Sequence, residues 1–265
     1  MFDFISDVHV DTYFKSKKDC EKFIQKILPE EPSEVLIIAG DISTRASNTV
    51  SSMFLMNISQ HYKEVLVVLG NHDYWTNIDD TYIDSFDRIN NFKSRFVGTN
   101  VTILDGTTKT INGVTYGGTV GWYDGSYGVL ELGHTEASID NYYKNFSDSH
   151  HVHFHYRDFC SNQKEILKEL VKVSDVIITH HIPIWEKIPM KYALDPYSSF
   201  FHFDGYDLVR SCKDKVWIYG HTHDPYDFNF EGCQMLCNPL GYKSEHFIVD
   251  HFKDLKKYPR RIRTY

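Results

Sequence analysis

Five short polar blocks follow apolar runs in this chain and carry most of the residues that could do chemistry. They read Asp7-Val8-His9, Gly40-Asp41, Gly70-Asn71-His72-Asp73, Thr179-His180-His181 and Gly220-His221-Thr222-His223. Seven of their side chains are oxygen or nitrogen donors, namely Asp7, His9, Asp41, Asn71, His180, His221 and His223. This mixture suits divalent Mn, Fe, Ni or Zn better than a thiolate site or an all-oxygen calcium site would. The sequence therefore predicts two divalent metal ions that share one carboxylate.

The runs that precede the blocks are the elements that must position them. They are short, rich in β-branched or aromatic residues and almost continuously apolar, as buried strands of an α/β sheet are. The predicted strands are residues 2–6, 34–39, 64–69, 175–179 and 215–219, and the predicted helices between them are 17–28, 49–61 and 161–173. Ligands of open α/β sheets collect at the carboxyl ends of the strands. We therefore expect the five blocks to meet at one edge.

A second group of strands is predicted after residue 100. Residues 101–104, 108–111 and 114–118 are separated by Asp105-Gly106 and Asn112-Gly113, dipeptides that favour tight hairpin turns. The later stretches 226–230, 234–237 and 245–250 have the same character. Together the elements predict an α/β fold in which two mixed β-sheets pack as a sandwich flanked by helices.

Composition predicts one soluble domain. The chain has 265 residues, 42% of them hydrophobic, and we find no linker and no internal repeat, so residues 1–265 are expected to form a single domain. Two long connections stand out. Residues 122–158 are rich in Tyr, Asp and His without clear periodicity, which is typical of an insertion or cap. Residues 184–205 form an aromatic loop that could cover the cleft or simply pack on the domain.

The charge balance argues against nucleic acid as a general partner. Lys and Arg number 28 against 36 Asp and Glu, a formal net charge of −8 at pH 7. A metal centre would still make one pocket locally cationic, which favours a small phosphate-ester substrate. The oligomeric state cannot be derived from this balance.

The start of the chain and the cysteines both indicate the cytoplasm. No signal peptide or transmembrane stretch is recognisable, so we expect a cytoplasmic protein without membrane contact. Five cysteines without a repeating pattern are expected to be reduced thiols rather than a disulfide framework.

The order of the five blocks, D-x-H, G-D, G-N-H-D, H-H and G-H-x-H, resembles the calcineurin-like metallophosphoesterase superfamily from Asp7 to Gly241. Weaker similarities are Gly117-Gly118-Thr119 with Trp122, Pro183 after the paired histidines, and Asn238-Pro239-Leu240-Gly241-Tyr242. These features resemble members that are not protein phosphatases. The resemblance implies a four-layer fold and a metal-dependent phosphoric ester hydrolase, a phosphodiesterase or phosphatase.

The resemblance also implies roles for the donors. One metal would be held by Asp7, His9, Asp41 and His223. The other would be held by Asp41, Asn71, His180 and His221. A hydroxide bridging the two metals would then attack a phosphate mono- or diester in line. His72 is implied as the group that protonates or hydrogen-bonds the leaving oxygen, and the alternative is that it only orients a neighbouring group.

Three residues beside the donors are predicted to bind substrate or to support the ligands: Asp73, His181 and Arg45. Asp73 is expected to be structural rather than catalytic. His181 adjoins His180, and neighbours on an extended segment point to opposite sides, so both cannot easily reach one metal. The cluster His150-His151-Val152-His153-Phe154-His155 could hold a third metal, but a substrate-shaping role in the cap is favoured.

Three alternative functions remain open at this stage. A nuclease acting on DNA or RNA ends could use the basic tail, Lys253 to Arg263. A protein phosphatase is disfavoured because Asp41 is followed by Ile42-Ser43-Thr44 rather than by an acidic residue with Arg-Gly. A non-catalytic binding scaffold is disfavoured because all seven expected ligands and His72 are present.

Overall fold

Two β-sheets form the centre of the computed structural model, which describes residues 1–44, 48–76, 81–245 and 260–262. The strands in chain order are β1 Phe2–Ile5, β2 Val35–Ala39, β3 Glu64–Val68, β4 Val101–Ile103, β5 Thr107–Ile111, β6 Val114–Gly118, β7 Val176–Ile178, β8 Val216–Tyr219, β9 Tyr226–Phe230, β10 Cys233–Cys237 and β11 Arg260–Ile262. The five predicted strands that precede the polar blocks are all present, most of them a residue or two shorter.

The first sheet has the order β11-β1-β2-β3-β4. Strands β1 to β4 run parallel, and β11 is antiparallel to β1. The second sheet has the order β5-β6-β7-β8-β10-β9, in which β6, β7, β8 and β10 run parallel and β5 and β9 are antiparallel edges. Both sheets are therefore mixed, and the predicted fold class is confirmed.

The two sheets pack face to face through one apolar layer. Its buried side chains come alternately from the strands of both sheets and include Phe2, Phe4, Val35, Ile37, Leu66, Val68, Tyr116, Val176, Ile178, Ile218 and Leu236. The opposite face of each sheet packs against helices, which explains why β2 is buried at every position. The parallel strands of both sheets consequently end near one another.

The helices lie outside the sheets. They are α1 Lys17–Ile27, α2 Asn48–Ile58, α3 Asn71–Tyr74, α4 Ser85–Ser94, α5 Ser126–Leu130, α6 Glu136–Tyr143, α7 Tyr156–Val173 and α8 Tyr206–Arg210. Helix α1 begins where the Ser16 hydroxyl accepts the Asp19 N–H, and it buries Phe23, Ile24 and Ile27. Its boundaries agree closely with the predicted helix 17–28. Among the described helices none is long and apolar enough to span a bilayer.

The hairpin prediction was right at one dipeptide and wrong at the other. Asn112 and Gly113, at φ 50° and 80°, form the tight turn that joins antiparallel β5 and β6. Asp105-Gly106 instead carries the chain from β4 in the first sheet to β5 in the second. The reason is that the buried Leu104 side chain belongs to the layer between the sheets, so β4 completes the parallel sheet rather than pairing with β5.

Sequence periodicity missed several short helices. The segment 122–158, which was predicted as aperiodic, contains α5, α6 and a 3-10 turn at Ser147–His150 before α7 begins. Helix α4 was not predicted either. The predicted strand 245–250 lies largely outside the described residues.

Candidate metal centre

The first group of donors lies at the ends of β1 and β8. Asp7 and His9 follow β1, and His223 follows β8; their ligand atoms all lie within 4.8 Å of one another. The Nε2 atoms of His9 and His223 face each other at 3.0 Å. The buried Oδ2 of Asp7 makes no well-formed hydrogen bond with described residues. An unpaired buried carboxylate oxygen beside two imidazole nitrogens is a fitting site for a divalent cation.

The second group of donors lies at the ends of β2, β7 and β8. Asp41, His180 and His221 offer ligand atoms that are again within 4.8 Å of one another. His180 Nε2 lies 3.2 Å from His221 Nδ1 and 3.0 Å from the Oδ1 of Asn71. All four residues are buried. Their oxygen and nitrogen atoms thus point to a common centre.

Asp41 lies between the two groups. Its Oδ2 is 3.8 Å from His9 Nε2 on one side and 3.4 Å from His180 Nε2 on the other. Its Oδ1 accepts the backbone N–H of His72 at 3.0 Å, which fixes the carboxylate. The Asp41 carboxylate therefore faces an imidazole nitrogen of each group of candidate donors.

The other ring nitrogen of each candidate histidine ligand has a protein partner. His9 Nδ1 lies 3.1 Å from Thr44 Oγ1, His180 Nδ1 3.0 Å from the carbonyl of Ala39, and His221 Nε2 3.3 Å from the carbonyl of Phe200. His223 Nδ1 lies 2.9 Å from a carboxylate oxygen of Glu245. Such partners fix the tautomer and leave the remaining nitrogen free for a metal. The free atom is Nε2 in three of these rings and Nδ1 in His221.

The backbone at the site is strained. Asp7, His9, Asp41, His221 and His223 all have positive φ, between 44° and 71°. Residues other than glycine rarely adopt this left-handed region, and clusters of such residues occur at functional sites. Hydrogen bonds stabilise this backbone conformation. One of them is donated by the Asp7 N–H to the carbonyl of Gly40 at 3.0 Å.

Two glycines of the predicted blocks allow the donors to approach. Gly40 has φ +87°, and a Cβ there would lie 2.2 Å from His180 Nδ1. A Cβ on Gly70 would lie 2.2 Å from Oδ1 of Asp41. Neither position can therefore carry a side chain without displacing a candidate ligand.

The buried acidic and imidazole side chains of the site shift one another's pKa values. Burial acts to raise the pKa of Asp41, but the nearby His180 and His72 hold it well below its usual value. Burial acts to lower the pKa of His180, but Asp41 raises it to about 9. Burial raises the pKa of Asp7, against the opposing effect of His223. Buried carboxylates thus draw positive charge into this site, as they would draw a metal cation.

His72 stands at the edge of the donors and faces the cavity. Its Nδ1 lies 2.8 Å from the Thr44 carbonyl, and its Nε2 lies 3.9 Å from Oδ2 of Asp41 and 3.4 Å from the Tyr242 hydroxyl. The ring rests against Trp75, with centroids 3.9 Å apart. A nitrogen held in this position can hydrogen-bond a group that lies above the metal centre.

The three accessory residues have different positions. Asp73 is buried and accepts the backbone N–H of Gly70 at 2.9 Å, and burial raises its pKa to about 7. His181 is buried, with its ring 4.5 Å from His221 and 5.0 Å from Trp122. Neither lines the cavity, so their placement supports a role behind the ligands rather than at the substrate. Arg45 lies outside the described residues.

The histidines of residues 150–155 are engaged locally. His151 stacks on Trp75 at 4.4 Å, and His153 Nδ1 lies 3.3 Å from the Thr76 hydroxyl. His155 lies 3.5 Å from Asp158. Neither group of potential metal ligands found in the described part of the chain includes them.

A cavity of about 1100 Å³ opens above the metal centre. Its floor includes Asp41, Asn71, His72, His221 and His223. Both long connections contribute to its walls: residues 145–148 of the segment 122–158 and a large part of the loop 184–205. The loop is also tied to the site through the Phe200 carbonyl that faces His221.

Sequence reasoning missed three residues that the structure places at the site. Tyr242 stacks on His9 with centroids 4.1 Å apart, and Glu245 pairs with His223. Asp148 contacts Asn71 although 77 positions separate them. Tyr242 belongs to a quoted motif, but nothing in the sequence marked its ring, or the carboxylates of Glu245 and Asp148, as neighbours of the donors.

The architecture is the metallophosphoesterase fold, with the donors gathered at the carboxyl ends of its strands. The family model for calcineurin-like phosphoesterases matches residues 1–225. The chain therefore belongs to the calcineurin-like phosphoesterase family, which confirms the resemblance seen in the five blocks and supports a phosphoester hydrolase.

One sequence comparison and one structural comparison illustrate the similarity. The uncharacterized protein L509 of Acanthamoeba polyphaga mimivirus is 25% identical over 240 residues, which cover 82% of each chain. The crystal structure of phosphopantetheinyl hydrolase (PptH) from Mycobacterium tuberculosis superposes with a TM-score of 0.72 over 96% of this chain and 93% of that one. Because its identity is 18%, this second similarity shows the shared fold.

Proposed function

We propose that the protein is a dinuclear metal-dependent phosphoesterase that hydrolyses a phosphate mono- or diester of a small organic molecule. The observation that carries the proposal is the position of Asp41, whose Oδ2 lies within 4 Å of imidazole nitrogens from both donor groups. One carboxylate between two sets of oxygen and nitrogen donors is the arrangement that a two-metal hydrolase needs. The family of the chain supports the same reaction class.

We propose that the seven predicted ligands divide between two sites as the family pattern implies. Asp7, His9 and His223 would hold one ion, and Asn71, His180 and His221 the other, with Asp41 shared. When bound, the ions supply an acidified water and neutralise charge on the phosphoryl oxygens. The protein supplies orientation, since each candidate histidine ligand is held by a second hydrogen-bond partner.

His72 is proposed to assist the leaving group. Its Nδ1–H donates to the Thr44 carbonyl, so the ring is fixed with Nε2 toward the cavity. A protonated Nε2 in that position can donate its hydrogen to the departing oxygen of an ester. The ring of Trp75, tilted by 39° with centroids 3.9 Å apart, packs against the His72 ring.

The cavity has room for a phosphate ester whose organic part is larger than a small alkyl group. Its volume of about 1100 Å³ is at the upper end of ordinary ligand pockets. Phe146, Tyr192, Tyr197 and Phe201 offer aromatic surface on its walls. We propose that these side chains bind the organic part of the ester while the phosphate lies over Asp41. The hydrolase activity in the name of PptH is compatible with such a substrate.

The test is hydrolysis of bis(p-nitrophenyl) phosphate by metal-stripped protein to which Mn, Fe, Ni or Zn is returned. We expect turnover only with metal, and Asp41→Asn should lower kcat by at least about 100-fold while the fold is retained. Two metal ions per wild-type chain should be measured by elemental analysis. Turnover by the metal-stripped protein, or binding of no metal, would overturn the proposal.

A substrate screen then separates the subclasses. Cyclic nucleotides, other phosphodiesters, phosphomonoesters, oligonucleotides and a phosphopeptide are compared at equal concentration with the preferred metal. We expect the highest kcat/KM for a small ester with an aromatic or nucleotide portion. Preference for the oligonucleotide or for the phosphopeptide would identify a nuclease or a protein phosphatase instead.

A further inference from the structure

We infer that Asp148 is a positioning residue that fixes the amide of Asn71, so that its oxygen faces the second metal site, and that it thereby links the segment 122–158 to catalysis. The inference rests on the proposed dinuclear centre. Asp148 lies in the 3-10 turn Ser147–His150 and is fully buried. It belongs to none of the five polar blocks.

The carboxylate of Asp148 receives three hydrogen bonds. Its Oδ1 accepts from Asn71 Nδ2 at 2.9 Å and from Trp75 Nε1 at 2.6 Å. Its Oδ2 accepts from the Tyr123 hydroxyl at 2.8 Å. Burial raises the pKa of Asp148, and the three donors oppose only part of that effect. Their different directions nevertheless hold the carboxyl group in a single orientation.

The contact with Asn71 decides which way that amide faces. An amide side chain has one accepting and one donating end, and only the oxygen can bind a cation. Because Nδ2 donates to Asp148, Oδ1 must face the opposite way, where it lies 3.0 Å from His180 Nε2. Without this acceptor the amide could turn its NH₂ group toward the metal site.

The contact of Asp148 with Trp75 connects it to His72, the proposed proton donor. Asp148 fixes the indole through Nε1, and the same indole packs against the ring of His72. One carboxylate from the segment 122–158 thus holds both a metal ligand and the support of His72. The Tyr123 hydroxyl bond keeps that carboxylate attached to its own segment.

The test compares Mn²⁺ binding to the metal-stripped full chain by isothermal titration calorimetry. For wild type we expect two ions. Asp148→Ala should weaken one site about 10- to 100-fold, the usual effect of removing a hydrogen bond behind a ligand, and leave the site of Asp7, His9 and His223 nearly unchanged. Asp148→Asn should restore binding, because its amide oxygen can still accept from Asn71 while its NH₂ faces Tyr123.

Asp140→Ala is the matched control. Asp140 lies in the same segment and accepts hydrogen bonds from Tyr156 and Arg157, without contact to Asn71. A general loosening of the segment would affect both alanine variants equally, whereas a positioning role affects only Asp148→Ala. Should Asp148→Ala fail to fold, Asp148→Ser takes its place with the same expectation, since its hydroxyl keeps a polar atom in the buried site.

The outcomes separate this inference from the proposed function. If Asp148→Ala binds Mn²⁺ at each site with the same affinity as wild type does, the inference is overturned and the proposed function is not. The same weakening in Asp140→Ala would also overturn it. If wild type binds no Mn²⁺, the proposed dinuclear centre itself fails and the inference falls with it.

Discussion

His72 is held through Nδ1, and its Nε2 faces the cavity beside the Tyr242 hydroxyl at the edge of the candidate metal centre. Its Nδ1 is engaged by the Thr44 carbonyl and its Nε2 faces Oδ2 of Asp41 at 3.9 Å. Neither group of potential metal ligands among the described residues includes His72, so we place it beside the candidate ligands rather than among them. Its contribution should therefore depend on how much the leaving oxygen needs a proton.

His72→Asn should slow esters with poor leaving groups most. We expect a fall in kcat of about 100-fold or more for a dialkyl phosphate, and a much smaller fall for bis(p-nitrophenyl) phosphate, whose leaving group needs no proton. Metal content should be unchanged. His151→Asn is the control, because His151 stacks on the same Trp75 but lies outside the donor groups. Equal losses on both substrates would contradict the acid role.

Gly70 shows how a loop between strand and helix sets the position of a ligand. It ends the run of β3 and begins α3, and its carbonyl accepts the Asp73 N–H at 3.1 Å. Its backbone packs directly on Asp41. This close approach of the two loops holds the Asp41 carboxylate between the two groups of candidate donors.

Gly70→Ala should reduce activity about 100-fold, since the new Cβ would lie 2.2 Å from Oδ1 of Asp41 and must displace it. The measurement is kcat with saturating Mn²⁺, accompanied by metal content. Gly133→Ala is the control: it has φ +70° with nothing within 4 Å, so it should cost about 1 kcal/mol of stability and no activity. Full activity in Gly70→Ala would show that the Asp41 loop can move aside.

The loop 184–205 contains a buried histidine that should make stability depend on pH. Burial lowers the pKa of His202 from 6.5 to about 4, against the opposing hydrogen bond to the Ser198 carbonyl. At pH values between these two pKa values, His202 binds a proton in the unfolded chain but not in the folded chain. Stability is therefore lost as the pH falls below 6.5.

His202→Gln should weaken this dependence. The measurement is the free energy of unfolding of the metal-stripped protein, determined with urea at pH 7 and at pH 5. The decrease from pH 7 to pH 5 should be about 2 kcal/mol smaller in the variant than in wild type. His155→Gln, at an exposed position, should leave the wild-type difference intact. An unchanged difference in His202→Gln would show that this side chain is not held neutral by the fold.

Both sheets of the molecule contribute candidate donors to the site. The first sheet contributes Asp7, His9, Asp41 and Asn71, and the second contributes His180, His221 and His223. A cation bound between them would therefore hold the two sheets together in addition to the apolar layer. Ligands that bind only the folded state stabilise it by mass action.

Mn²⁺ should raise the thermal unfolding temperature of the metal-stripped protein. At 100 times the dissociation constant the expected stabilisation is about 2.7 kcal/mol per site. Asp41→Ala should lose most of this gain, while His155→Ala should keep it, because His155 is exposed in the histidine-rich segment. The opposite pattern would locate metal binding in that segment.

The fold class could be predicted from the sequence, and candidate donors could be proposed, because both depend on local patterns. Apolar runs of strand length predicted the central strands, and the polar residues after β1, β2, β3, β7 and β8 predicted the donors. Short helices such as α4 were not predicted, because they contain too few apolar positions to show a helical period. The crossing at Asp105-Gly106 was misread because a turn dipeptide does not reveal which sheet receives the next strand.

The sequence by itself predicted the set of candidate donors, because metal chemistry depends on residue type and the five blocks carry those types in a family order. The tertiary structure alone decided what surrounds the donors. Glu245 and Asp148 contact candidate donors that lie far from them in the chain, and the left-handed backbone of Asp41 and His221 is a feature of the folded structure. Long-range packing creates such contacts and strains, and no local pattern encodes them.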